Sequence, residues 1–77
     1  MNTMVVLKNI AKNKDSISAD YYPEGKDVKG FMEISKVDGK TIRHDVASAF
    51  VASHVKRELE RLANIEEPPK EKKVYWY

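Results

Sequence analysis

The residues of this chain that have the reactivity for catalysis or metal binding are two His and twelve acids, with no Cys. His44-Asp45, followed on the next element by His54, is the one grouping with such a flavour. An imidazole oriented by a carboxylate is the pair a general base needs, and two imidazoles with a carboxylate can begin a metal site. The spacing matches no ligand motif, however, and Asp45 has a structural use as a helix N-cap. Neither Ser35 nor Ser53 stands in a nucleophile-elbow context. Both His read as strand-end and helix-flank residues.

The other chemistry-bearing types fare no better. Glu58 with Glu60, and Glu66 with Glu67, are carboxylate pairs by spacing, but neither is set in an apolar stretch that would drive their pKa values apart as acid–base work requires. Gly25, Gly30 and Gly39 are isolated, so no glycine-rich loop can cradle a phosphate. Without Cys there is no disulfide framework, thiolate zinc site or cysteine nucleophile. The expectation is a protein that is not an enzyme and takes no cofactor and no metal.

The residues that remain are aromatic and basic. Period-two reading of the strands turns Val5, Leu7, Tyr22, Phe31 and, at the end of its strand, Val37 to one face, with Lys29 and Arg43 beside them, and Tyr75 and Trp76 come just before the last residue, Tyr77. A contiguous apolar patch of this kind marks a partner surface. Leu7, Tyr22, Lys29, Phe31, Arg43, Tyr75 and Trp76 are therefore the candidate partner-surface residues. Three occupants are open: the chain's own C-terminal aromatics, another protein (a second copy included, burying Leu7, Tyr22 and Phe31 across a two-fold), or single-stranded nucleic acid. For the last, bases would stack on Tyr22 and Phe31 while Lys29 and Arg43 hold phosphate. Asp20 and Glu33 share that face and would repel it.

Composition limits the scaffold. The chain has 77 residues, 42% hydrophobic and 34% charged, which suits one small domain over residues 1–77. Fourteen Lys and Arg against twelve Asp and Glu leave a net charge of +2, spread evenly along the chain. The basic stripe of a duplex-binding domain is missing. The N-terminal apolar run, Met4 to Leu7, falls short of the about 7–15 residues of a secretory core and the about 20 of a membrane span, so no membrane partner and a cytoplasmic location are expected.

The elements that must position the aromatic face follow from periodicity. Residues 4–12, 15–22, 29–36 and 40–44 alternate as strands, separated by turn chemistry at Asn13-Lys14, Pro23 to Asp27, and Asp38-Gly39. Short connections predict an antiparallel meander over 4–44. A two-residue first turn pairs Ile10 with Ile17 and Val6 with Tyr21. The second hairpin pairs Ala19 with Met32 and Tyr21 with Gly30, where the missing side chain gives the Tyr21 ring room. For the third, a left-handed Gly39 with a bulge pairs Lys36 with Lys40 and Ile34 with Ile42, keeping Ile42 inside.

Residues 46–64 then change period: Val51, Val55, Leu59 and Leu62 recur at helical spacing behind an Asp45 cap. Such an amphipathic helix must cover the inner sheet face. Residues 65–73 form a charged, Pro-containing spacer, and Val74 to Tyr77 an aromatic strand expected to dock, most simply at a sheet edge and parallel to its neighbour. The fold class is α+β: a four-stranded antiparallel meander, one packed helix and a short C-terminal strand.

Overall fold

The computed structural model describes residues 4–24, 27–47 and 49–75. Trp76, expected in the last strand and on the partner surface, lies outside the described residues, as do Gly25 and Tyr77. The elements run β1 (Met4–Lys12), β2 (Ser16–Pro23), β3 (Gly30–Ser35), β4 (Thr41–Asp45), α1 (Ala49–Ala63) and β5 (Lys72–Tyr75). They form one antiparallel sheet in the order β4-β3-β2-β1-β5, with α1 on one face, in the α+β class the periodicity implies. No helix among the described residues is long and apolar enough to cross a membrane.

The β2–β3 hairpin keeps the expected register, with Ile17 opposite Ile34, Ala19 opposite Met32 and Tyr21 opposite Gly30. Gly30 is required there by space. A β-carbon at this position would lie 2.4 Å from Cζ of Tyr21, inside any real carbon–carbon contact. The ring crosses the backbone where a side chain would stand, and Tyr21 is fully buried.

The β1–β2 hairpin departs from expectation. Asn13 closes the turn with its own side chain, its Oδ1 accepting from the amides of Asp15 and Ser16 at 2.9 and 2.7 Å. The turn is thus longer than two residues, and Lys12 pairs with Ile17. A β-bulge follows: between the pairs Ala11–Ser18 and Lys8–Asp20, Asn9 and Ile10 face the single residue Ala19. Asn9 takes φ 54°, a left-handed conformation Asn tolerates better than most residues. The extra residue reverses the alternation. Val5, Leu7 and Ile10 all point inward, and Leu7 and Val5 are fully buried in the core rather than on the outer face. Val6 pairs with Tyr22, not Tyr21.

The third hairpin has Gly39 at φ 73°, left-handed as expected, but its register differs. Thr41, not Ile42, stands opposite Ile34, and a register shift next to it leaves Ile42 57% exposed. The physical reason lies in the second layer. Helix α1 packs on β1, β2, β3 and β5 but does not reach β4, so among the described residues no helix layer covers Ile42.

Val51, Val55, Leu59 and Leu62 are buried against the sheet, as their spacing requires. Helix α1 starts later than expected, and Asp45 is no cap: it ends β4, its carboxylate accepting from Arg43 at 3.1 Å. After α1, Lys12 Nζ donates to the Ile65 carbonyl at 2.7 Å and Ile10 N to the Lys70 carbonyl at 3.0 Å, leading the chain onto the β1 edge. There β5 runs antiparallel to β1, with Val5 opposite Val74, and not parallel to its neighbour. The crossover does return β5 in the direction of β4, but the strand it meets, β1, runs the other way.

Glu58 fastens α1 to this last strand, bonded to Arg61 at 2.5 Å and to Lys72 at 3.1 Å, with 12% of its side chain exposed. Burial pushes its carboxyl up, but the hydrogen bonds and charges of Arg61 and Lys72 outweigh that and hold it below the usual value.

Two outcomes follow. Gly30→Ala drives a methyl group into the Tyr21 ring and should cost about 1–3 kcal/mol, lowering the thermal midpoint by roughly 4 °C or more; an unchanged melt would contradict the close packing. A carboxyl lowered in the folded state stabilises above its ordinary value of 4.5 and loses that contribution as pH falls through and below it. Wild type and Glu58→Gln should therefore differ in denaturant midpoint at neutral pH and converge in acid. A constant gap down to the acid transition would show that the ion pairs contribute nothing.

Candidate functional site

The bulge at Asn9 divides the side chains between two faces, and the face away from α1 is the candidate site. Its rows can be read across the sheet. One row is Tyr22, Val6 and Lys73; another is Asp45, Phe31, Asp20 and Lys8; a third is Arg43, Glu33 and Ser18; Met4 and Tyr75 stand opposite each other beyond Val6. In the Phe31 row, Lys8 occupies the place that an unbroken alternation assigns to Leu7.

Each central ring carries a cation. The Lys8 ammonium sits 5.1 Å from the centre of the Tyr22 ring, and the Arg43 guanidinium 5.4 Å from that of Phe31. Acids hold the polar groups between them in place: Asp20 accepts from the Asn9 amide at 2.8 Å, Asp45 from Arg43 at 3.1 Å, and Glu33 from the Ser16 hydroxyl at 2.5 Å. Phe31, Arg43, Asp45, Asp20, Lys29 and Gly30 line a shallow depression of about 280 Å³. Tyr22 and Phe31 are half-buried, and Tyr75 at the β5 end is 57% exposed.

Of the residues singled out from sequence, Tyr22, Lys29, Phe31 and Arg43 share this face, and Tyr75 flanks it at the β1 edge. Leu7 does not belong to it. Lys8, Lys73, Val6 and Met4 join it without having been legible by simple alternation. The signal that points to them is Lys8-Asn9: two polar residues in succession inside a strand, the second of a type that accepts a left-handed backbone. Through Tyr75 the C-terminal segment extends the sheet at its edge instead of folding over the outer face.

Of the histidine grouping, His44 is bonded within the fold. His44 lies opposite Met32 on the helix side, and its Nε2 is 2.6 Å from the Tyr21 hydroxyl. That hydroxyl also accepts from the Ala47 amide at 3.1 Å. With a lone pair given to Ala47, the phenol proton is free to be donated to His44 Nε2, so the two bonds are compatible and join β2, β4 and the chain entering α1. Among the described residues, no group of three or more His, Asp or Glu gathers around a point where a metal ion would sit. The outer face thus combines two rings under cations with carboxylates that accept from nearby donors.

In comparisons with known proteins, no family model, no curated protein and no solved structure matches this chain.

Tyr21→Phe tests the structural assignment of the histidine. Removing the hydroxyl leaves the Ala47 amide and the His44 nitrogen without their partner in a half-buried place, a loss of about 1–3 kcal/mol. The same change should shift the His44 ring resonances in NMR and leave those of Tyr22 and Phe31 in place. Unmoved His44 signals would remove the link.

Proposed function

We propose that this chain is a non-enzymatic interaction module that docks another protein on its outer sheet face. The observation that carries this reading is the capping of Tyr22 and Phe31 by Lys8 and Arg43, with Asp20, Glu33 and Asp45 interleaved on the same surface. Tyr, Arg and Phe are the residues that anchor protein interfaces, where rings and guanidinium groups bury together and surrounding polar groups exclude water. Alternating cations and carboxylates match the mixed surface of a polypeptide. They suit a uniformly anionic strand poorly. Single-stranded nucleic acid is the competing reading; it would need Lys8 and Arg43 to leave the rings so that bases could stack, and it would bring phosphates against three acids.

The test places a photo-crosslinking phenylalanine analogue at Tyr22 in cells that make the chain, with the same analogue at the exposed Arg57 of α1 as control. A discrete polypeptide adduct from position 22, absent from position 57 and lost when Phe31→Asp is added to a chain that still folds, is the expected result. Equal adducts from both positions would overturn the reading. In parallel, a mixed single-stranded oligonucleotide titrated at low salt should leave the Tyr22 and Phe31 amides unmoved. Shifts that saturate and disappear with salt would replace the protein partner with nucleic acid.

A further inference from the structure

The two edges of the sheet are built differently. An edge strand presents unpaired backbone N–H and C=O groups, and proteins commonly guard such edges with Lys. β5 does this with Lys72 and Lys73. β4, the opposite edge, has no Lys within Thr41–Asp45 and is not covered by α1. The stretch from β4 into α1 also carries three large apolar residues in water: Ile42 at 57%, Val46 at 63% and Phe50 at 74% exposure.

The order of residues along that edge is self-complementary. Ile42-Arg43-His44-Asp45-Val46 reads apolar, positive, His, negative, apolar. Laid antiparallel against a second copy with His44 opposite His44, Arg43 falls opposite Asp45 of the second copy and Asp45 opposite its Arg43. Ile42, at the register shift of β4, and Val46, one residue past its end, flank this pairing. Arg43 and Asp45 project to the outer side of the sheet, where they already attract each other within one chain at 3.1 Å with their side chains 65% and 60% exposed. His44, between them, stands opposite Met32 on the helix side, and Ile42 sits at the register shift between the pairs Glu33–Arg43 and Ile34–Thr41.

We propose that this chain forms a two-fold dimer by antiparallel pairing of β4 with β4 of a second copy, in the register that places His44 on the axis. The contact is isologous, as a two-fold interface must be, and needs one strand that matches its own reverse. It satisfies the open backbone groups of both edges, joins two sheets into one of ten strands, exchanges two intrachain ion pairs for two interchain ones, and brings the exposed Ile42 and Val46 to its ends. The edge adjoins the outer face through Arg43 and Asp45, which also line the depression beside Phe31, while Tyr22, Val6 and Lys73 lie away from it, so a dimer formed this way sets two outer faces side by side.

A charge swap tests both the surface and the register. Sedimentation equilibrium of the wild-type chain from micromolar to millimolar concentration should show a concentration-dependent passage from 8.9 kDa to twice that mass. Arg43→Asp alone sets like charges opposite each other at both cross-strand pairs, as does Asp45→Arg alone, and each should weaken the dimer by roughly tenfold or more. An equimolar mixture of the two variants should recover the dimer, and so should the doubly swapped chain. Both positions are exposed, so folding, checked by circular dichroism, should be unaffected. Tyr22→Ala should leave the dimer intact. A wild-type chain that stays monomeric at millimolar concentration would overturn the proposal, as would single variants that dimerise like wild type or a mixture that fails to restore the dimer. Loss of the dimer in Tyr22→Ala would move the contact to the outer face and overturn it equally.

Discussion

The passage of the Tyr21 ring across Gly30 is the contact on which the arrangement of the sheet and helix depends. α1 does not pack on β4, so among the described residues the last strand of the meander has no covering layer of its own. The Tyr21 hydroxyl supplies the missing connection, reaching over the Gly30 backbone to His44 on β4 and to the Ala47 amide at the entry to α1. A fully buried phenol is acceptable only when its oxygen is bonded, and here it meets two partners on two segments. The same bonds set where the chain leaves the sheet, and hence where the helix begins its path across β1, β2 and β3.

The second constraint is the bulge at Asn9. Without it, the alternation of β1 would send Lys8 toward the helix and Leu7 to water. With it, Val5, Leu7 and Ile10 all enter the core despite their uneven spacing, while Val6 and Lys8 go to the outer face. The amide of Ile10 is taken up by the Lys70 carbonyl, so the bulge also helps fix the segment that leads into β5. A single left-handed residue thus shapes core composition, outer-face chemistry and the approach of the last strand together.

The surface that results differs between face and edges. On the outer face, rings lie under cations and carboxylates are held by nearby donors, the pattern on which the proposed docking of a polypeptide rests. At the two edges the sheet is closed on one side by lysines and left open on the other by a short strand whose charges match their own reverse. Specific association needs both features: somewhere to bind and a means of discouraging unwanted strand pairing.

The class of the fold, the strand count, the helix face of Val51, Val55, Leu59 and Leu62, the β2–β3 register and the room Gly30 leaves for Tyr21 were all legible in the residue pattern, because each depends on local periodicity or on one cross-strand neighbour. So was the outer-face placement of Tyr22, Lys29 and Phe31, which lie on or beside β2 and β3, the hairpin whose register is unbroken, and of Arg43, which pairs with Glu33 next to the shift in β4. The placement of Leu7 and Lys8 was not, because one inserted residue reverses every position beyond it, and the bulge forms only where β2 and the chain at Lys70 take up the backbone groups it frees. Nor was the exposure of Ile42: an apolar residue is buried only if a second layer covers it, and how far α1 reaches across the sheet is set by packing between layers. The direction of β5 follows the same logic. Helix α1 returned the chain in the direction of β4, but which edge it reached, and so whether its neighbour ran with or against it, was decided by the layer it had just crossed.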